Sequence, residues 1–157
     1  MNATIKNIFI LILTLSITSC GFQLRGSQDN SFSSIQIDGI SSGFTKELKK
    51  KYKQSGVEIK HSSAEKSIEI LIDQYDKRIL SLSATGKIRE YQLNYHISYR
   101  IKTSIGEWGP VIKINSTREY SYDDNNIVAK QEEERNLIKG MKGQIIRTMR
   151  SQISSAK

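Results

Sequence analysis

From Tyr91 to Lys102 the chain alternates without a break. Tyr91, Leu93, Tyr95, Ile97, Tyr99 and Ile101 are apolar or aromatic, and Gln92, Asn94, His96, Ser98, Arg100 and Lys102 between them are polar. A period of two belongs to the pleated strand, so this segment predicts a β-strand with one buried face and one wet face. At about 3.3 Å per residue, positions 91–101 alone extend some 36 Å. A strand of that length needs neighbours on both edges and a cover for its apolar side, which restricts the fold to sheet architectures with a second layer.

The flanking segments supply both. Ser34–Asp38 alternates apolar and polar residues and Gly39 ends the pattern. Ser41, Ser42 and Gly43 offer helix-start chemistry, and Phe44, Leu48 and Tyr52 follow at four-residue steps, predicting a helix over about 43–54 with Gly56 at its stop. Val57–Lys60 reads as a short strand. Ile68, Ile70 and Ile72 continue a period-2 pattern into a longer one that runs to about Leu82, and Gly86 within Ala84–Lys87 suits a hairpin turn. After a turn at Gly106–Pro110, the residues Ile112, Ile114, Arg118, Tyr120 and Tyr122 fall on one face of a further strand.

Asp123, Asp124, Asn125 and Asn126 then offer capping oxygens for a long terminal helix, in which Leu137, Ile138, Met141, Ile145, Met149 and Ile153 recur at three- and four-residue steps. Its charges follow the helix dipole. Residues 123–134 hold five acids and Lys130, whereas 135–157 hold six bases and no acid. Gly140 and Gly143 either permit close approach to the sheet or mark a bend. The order of elements predicts an α+β fold: a two-layer domain with a mostly antiparallel sheet of four to five strands, covered on one face by two helices. The other sheet face is expected to be solvated or occupied by a partner.

The chain has one cysteine, Cys20, directly after a short apolar run, Ile8–Ile17, that follows Lys6. A positive start, about ten apolar residues and then small ones make a secretory signal peptide, and the run is too short for a transmembrane span. Ile17-Thr18-Ser19-Cys20 resembles the lipobox of bacterial lipoproteins. That resemblance implies removal of residues 1–19 and covalent diacylglycerol and N-acyl chains on Cys20, with Gly21 after it favouring the outer membrane. Residues 20–31 then form an acylated start and tether, and 32–157 a single domain. The mature chain has no second cysteine for an internal disulfide, so packing must hold it together. Loss of Lys6 with the signal lowers the net charge only from +8 to +7.

Catalytic chemistry finds no foothold. His61 and His96 stand far apart outside any metal-ligand spacing, and nucleophile-elbow, Walker and dinucleotide motifs are missing from the sequence. The expectation is a non-enzymatic binding protein with no catalytic residues, metal or cofactor beyond the acyl chains. A basic chain outside the cytoplasm suggests phosphorylated lipid or an acidic protein surface rather than nucleic acid. Arg100 and Lys102 on the polar strand face, Lys87 and Arg89 beside the turn, and Lys130 at the start of the last helix are the bases best held by regular structure. Lys46, Lys49, Lys50, Lys51 and Lys53 form an alternative patch, read in preference as a solvated helix face. Tyr120 and Tyr122 suit either the core or a protein interface.

With that architecture in place, Cys20-Gly21-Phe22-Gln23-Leu24-Arg25-Gly26 resembles the mature start of the LptE lipopolysaccharide-assembly lipoproteins. Glu90-Tyr91-Gln92-Leu93 shortly after Gly86, then Arg118–Asp123, then Ala129-Lys130 with nearby acids follow in the matching order. The resemblance implies an outer-membrane lipoprotein, periplasm-facing within the lumen of an LptD-type β-barrel, that supports assembly of the barrel and binds lipopolysaccharide. It also implies lipopolysaccharide-contacting bases near the hairpin turn and the last helix start. Lys130 matches the second place. At the first, Ala84 stands where a base is expected, with Lys87 and Arg89 close by. The alternatives are a lipoprotein that scaffolds another envelope complex without binding lipopolysaccharide, and a periplasmic hydrolase.

Overall fold

The structure, a computed structural model, describes residues 31–102 and 106–156. The expected signal peptide, Cys20, the motif that follows it and all of the expected tether except Ser31 lie outside the described residues. In chain order the elements are β1 (Ser34–Gly39), α1 (Gly43–Gln54), β2 (Glu58–Lys60), β3 (Lys66–Leu82), β4 (Ile88–Ile101), β5 (Ile112–Ser121), a short 3-10 turn (Asp124–Asn126) and α2 (Ile127–Ser155). The strands form one sheet in the order β2-β1-β3-β4-β5.

The α+β expectation holds, with one refinement. The short strand β1 is parallel to both of its neighbours, β2 and β3, while β3–β4 and β4–β5 are long antiparallel ladders. Parallel neighbours need a crossover connection, and α1 supplies it between β1 and β2. The core lies between the sheet and the two helices. Ile35, Ile37, Ile68, Ile70, Leu93, Tyr95, Ile97 and Tyr99 from the strands meet Phe44, Leu48 and Tyr52 of α1 and Met141, Ile145, Met149 and Ile153 of α2. Burying each such side chain contributes about 1.5–3 kcal/mol, which stabilises the domain without a covalent crosslink.

The expected run of Ile68, Ile70 and Ile72 on one face is corrected. A register shift between Ile70 and Ile72 places Ile72 opposite Ser98 on the open face, where it is exposed. One extra residue in a strand sends every later side chain to the other side. Beyond the bulge Asp73, Tyr75, Lys77 and Ile79 therefore share the helix-covered face with Ile97, Tyr95, Leu93 and Tyr91. Gly39 does more than end β1: at φ +92°, an added Cβ would lie 2.1 Å from the Ile70 carbonyl oxygen, so only glycine permits this close approach of β1 to β3.

Helix boundaries follow their caps. The Ser42 hydroxyl accepts from the Thr45 amide at 3.2 Å to open α1. Asp123 caps the 3-10 turn, accepting from the Asn125 amide at 3.0 Å, and α2 begins behind it. α2 is continuous through Gly140 and Gly143, and an added Cβ at Gly140 meets nothing within 4 Å, so that glycine is not explained by close approach to the sheet. Among the described residues no helix is long and apolar enough to cross a membrane.

Candidate functional site

β3 and β4 reach past the cover of the helices and close at a turn in which the Ser83 amide donates to the Lys87 carbonyl at 2.7 Å and the Gly86 amide to that of Ser83 at 3.0 Å. Gly86 takes the positive φ the sequence predicts. This end of the domain carries Lys87 and Arg89, both exposed, and neither forms an ion pair among the described residues. On the same hairpin stand apolar side chains that packing does not cover, Ile79 at 52% and Leu82 at 55% exposure, and Val128 in the first turn of α2 is 78% exposed. These were missed from sequence. The signal was available in the apolar residues crowded beside the turn, beyond the reach of either helix stripe.

The start of α2 is brought to the same end. The Tyr122 amide donates to the Arg89 carbonyl at 2.7 Å, and Ser121 lies opposite Glu90 across the β4–β5 ladder. Lys130 reaches back to the Ser121 hydroxyl at 3.1 Å and pairs with Glu133 at 2.8 Å, with its side chain only 19% exposed. The structure therefore places all three expected bases around the joined hairpin and helix ends. Two are open, and the third already has a counter-charge. Ala84 sits in the turn itself.

Behind this end a polar cluster ties the hairpin to α2. Glu134 accepts from the Lys77 ammonium at 2.6 Å, the Tyr120 hydroxyl at 2.7 Å and the Tyr75 hydroxyl at 3.0 Å. Burial works to raise the Glu134 carboxyl, but the hydrogen bonds from Lys77, Tyr120 and Tyr75 outweigh it and hold it below the usual carboxylate range. Burial, aided by Glu134, pushes Tyr120 up to about 12. Lys77 stands 4.0 Å over the Tyr91 ring, which stacks on Tyr120 at 5.8 Å and meets Tyr122 edge-on at 5.2 Å. Tyr120 is thus turned into the core and Tyr122 is half-buried against it. In this chain by itself, neither presents the broad open ring expected of an interface residue.

The open sheet face is polar, as the alternation predicts, and part of its charge is held by contacts within the face. Arg100 donates to Glu69 at 2.6 Å and lies 4.7 Å from the Trp108 ring. Arg78 donates to Gln92 at 2.8 Å, which in turn donates to Glu119 at 2.8 Å. His96 contacts Asn115 and Ser98 within the same face. Among the described residues no three of His, Cys, Asp and Glu come together as metal ligands would.

Comparisons with known proteins agree with this architecture. No curated protein sequence matches the chain. Among solved structures, the rare lipoprotein B of Shewanella oneidensis superposes with a TM-score of 0.68 at 21% identity, covering 78% of this chain and 94% of its own. An uncharacterized lipoprotein B of Nitrosomonas europaea gives 0.71 at 27% identity, covering 86% and 91%. A minor lipoprotein of Acinetobacter baumannii gives 0.62 at 16%, covering 79% and 92%, and shares the fold. The family model for LptE, described as lipopolysaccharide-assembly, matches residues 22–153. That match spans nearly the whole expected mature chain, and the chain belongs to the LptE lipopolysaccharide-assembly family.

Proposed function

We propose that this chain is a non-enzymatic outer-membrane lipoprotein, anchored through acylated Cys20, that works with an LptD-type β-barrel and binds lipopolysaccharide during its assembly into the outer leaflet. Family membership supports the setting. The observation that carries the ligand is the hairpin end, where Lys87 and Arg89 form no ion pair among the described residues and share the hairpin with exposed Ile79 and Leu82. Lipid A offers phosphates next to acyl chains, and such an amphiphile needs cations next to apolar surface. Arg89 can meet a phosphate with two parallel hydrogen bonds, and Lys87 acts as a point charge. Lys130 joins by exchanging Glu133 for phosphate. The opposite sheet face, polar and hydrogen-bonded within itself, suits a hydrated barrel lumen.

Two sets of substitutions test the ligand in full-length protein in detergent. Replacing Lys87, Arg89 and Lys130 together by Gln weakens lipopolysaccharide binding by about tenfold or more at low salt, and the difference shrinks as salt rises. Replacing Ile79 and Leu82 by Ser weakens it in a way that salt does not change. Unchanged binding in both sets refutes the site. Purification of the tagged protein from native outer membrane tests the partner: a stoichiometric β-barrel retained through a salt wash supports the reading, whereas an unrelated complex favours the scaffold alternative.

A further inference from the structure

Four lysines of α1, Lys46, Lys49, Lys50 and Lys53, lie on the side turned away from its buried residues Phe44, Leu48 and Tyr52. They line a shallow depression of about 590 Å³ together with Gln54. The pairs Lys46–Lys49, Lys46–Lys50, Lys49–Lys53 and Lys50–Lys53 stand three or four residues apart as neighbours of like sign, with Glu47 the one acid in this helix, an arrangement that works against the helix by itself. Among the described residues none of them forms an ion pair. An external anionic surface removes that penalty.

The position of the patch says which surface. Phe32, close to where the described chain begins, packs its ring 5.9 Å from that of Tyr52, the neighbour of Lys53 in the last turn of α1. Ser31 donates to the Ser154 carbonyl at 2.9 Å at the end of α2. Phe32 follows Cys20 by a stretch of chain that spans at most about 40 Å. This end of the domain is therefore the one nearest an anchor at Cys20. The hairpin end lies away from it along β3, whose span from Lys66 to Leu82 is about 55 Å.

We propose that the lysine face of α1 docks on the headgroups of anionic phospholipids in the leaflet that holds the acyl anchor. The inference rests on the anchored reading of Cys20 and not on lipopolysaccharide binding. The patch is built of lysines without an aromatic or arginine among them, a composition depleted in protein interfaces and characteristic of membrane-surface helices. Each lysine beside an anionic surface multiplies the bound-to-free ratio about fivefold. A lipid anchor plus a basic patch fixes how the domain stands on the membrane as well as where it is held.

The test uses full-length acylated protein reconstituted into two kinds of vesicle, one of phosphatidylcholine alone and one also containing phosphatidylglycerol. A water-soluble amine-reactive reagent, read by peptide mass spectrometry, reports each lysine. The expected result is labelling of Lys46, Lys49, Lys50 and Lys53 reduced at least about threefold by phosphatidylglycerol and restored by high salt, with Lys87 unchanged. Failure to float with neutral vesicles refutes the anchor and the docking with it. Flotation with equal labelling in both vesicle types refutes the docking alone. Protection that arises only on adding a β-barrel partner assigns the face to a protein and overturns the proposal.

Discussion

Glu134 is the side chain whose removal tests most directly how the hairpin is held. It sits on α2, its side chain 19% exposed, and accepts from three donors on two strands: Lys77 and Tyr75 of β3 and Tyr120 of β5. Hydrogen bonds to a charged group contribute about 1.5–3 kcal/mol when buried, and partial exposure of Lys77, at 30%, reduces that. Taking about 1 kcal/mol per bond, Glu134→Ala loses about 3 kcal/mol. Glu134→Gln retains an acceptor oxygen but turns a second donor toward the cluster, and loses about 1.5 kcal/mol. For a chain of this size that lowers Tm by roughly 5 °C.

The pH dependence follows from the sign of the Glu134 shift. Its carboxyl is held below the usual range in the folded protein, so its contribution is fully present above the unfolded-state value of about 4.3 and is lost as pH falls through the folded one. Thermal or urea unfolding of wild type and Glu134→Gln across this range should show a stability gap at neutral pH that closes in acid. A gap that persists undiminished to about pH 2, or that never exists at neutral pH, refutes the account. Because the cluster joins β3 to α2, Glu134→Gln should also speed amide exchange in the outer half of the hairpin while leaving β1 unchanged.

Two other substitutions probe packing. Gly140 lies on the exposed side of an unbroken helix with nothing near an added Cβ, so Gly140→Ala is expected to stabilise by about 0.5–1 kcal/mol in urea unfolding; a loss of stability means the glycine is needed where the geometry shows open space. The Tyr52 hydroxyl is buried without a hydrogen-bond partner among the described residues, and burial pushes its pKa up, so Tyr52→Phe is expected to unfold at the same urea concentration as wild type or a higher one. Destabilisation by more than about 1 kcal/mol would reveal a bond to that hydroxyl.

What the sequence made legible, and what it hid, divides by the range of the interaction. β4 was readable from Tyr91 onward because there it lies between two strands with its alternate side chains in the core, so the period of two is imposed at each step. The bounds of α1 were readable because Ser42 caps it and its stripe is short and clean. The place of β1 between β2 and β3 was not, since its six residues carry no mark of which strands they will join. Nor was the bulge before Ile72, where the sequence keeps its period while the backbone inserts a residue. Lys87, Arg89 and Lys130 were correctly placed at ends of elements. The Glu133 partner of Lys130 is a local pair three residues along the same helix, whereas the Glu134 tie to Lys77, 57 residues away, depends on tertiary geometry.

The net charge of +8 gains meaning only from where its counter-charges lie. Along the open sheet face Arg100 is held by Glu69 and Arg78 leads through Gln92 to Glu119, while Lys102 and Lys113 stand exposed and apart. Among the described residues, cations without ion pairs cluster most closely at two other places: Lys87 and Arg89 where β3 and β4 turn, and the α1 lysines near the beginning of the described chain. Field strength depends on clustered, uncompensated charge rather than on total charge, so an anionic partner is drawn first to these two regions. The two regions also differ in company. The hairpin cations share their hairpin with exposed Ile79 and Leu82 and can hold an amphiphile by both its phosphate and its chains, whereas the α1 lysines have only their own methylene stems and can hold a charged surface. High salt should therefore release the α1 region outright, while the hairpin end keeps the part of its binding that comes from apolar contact.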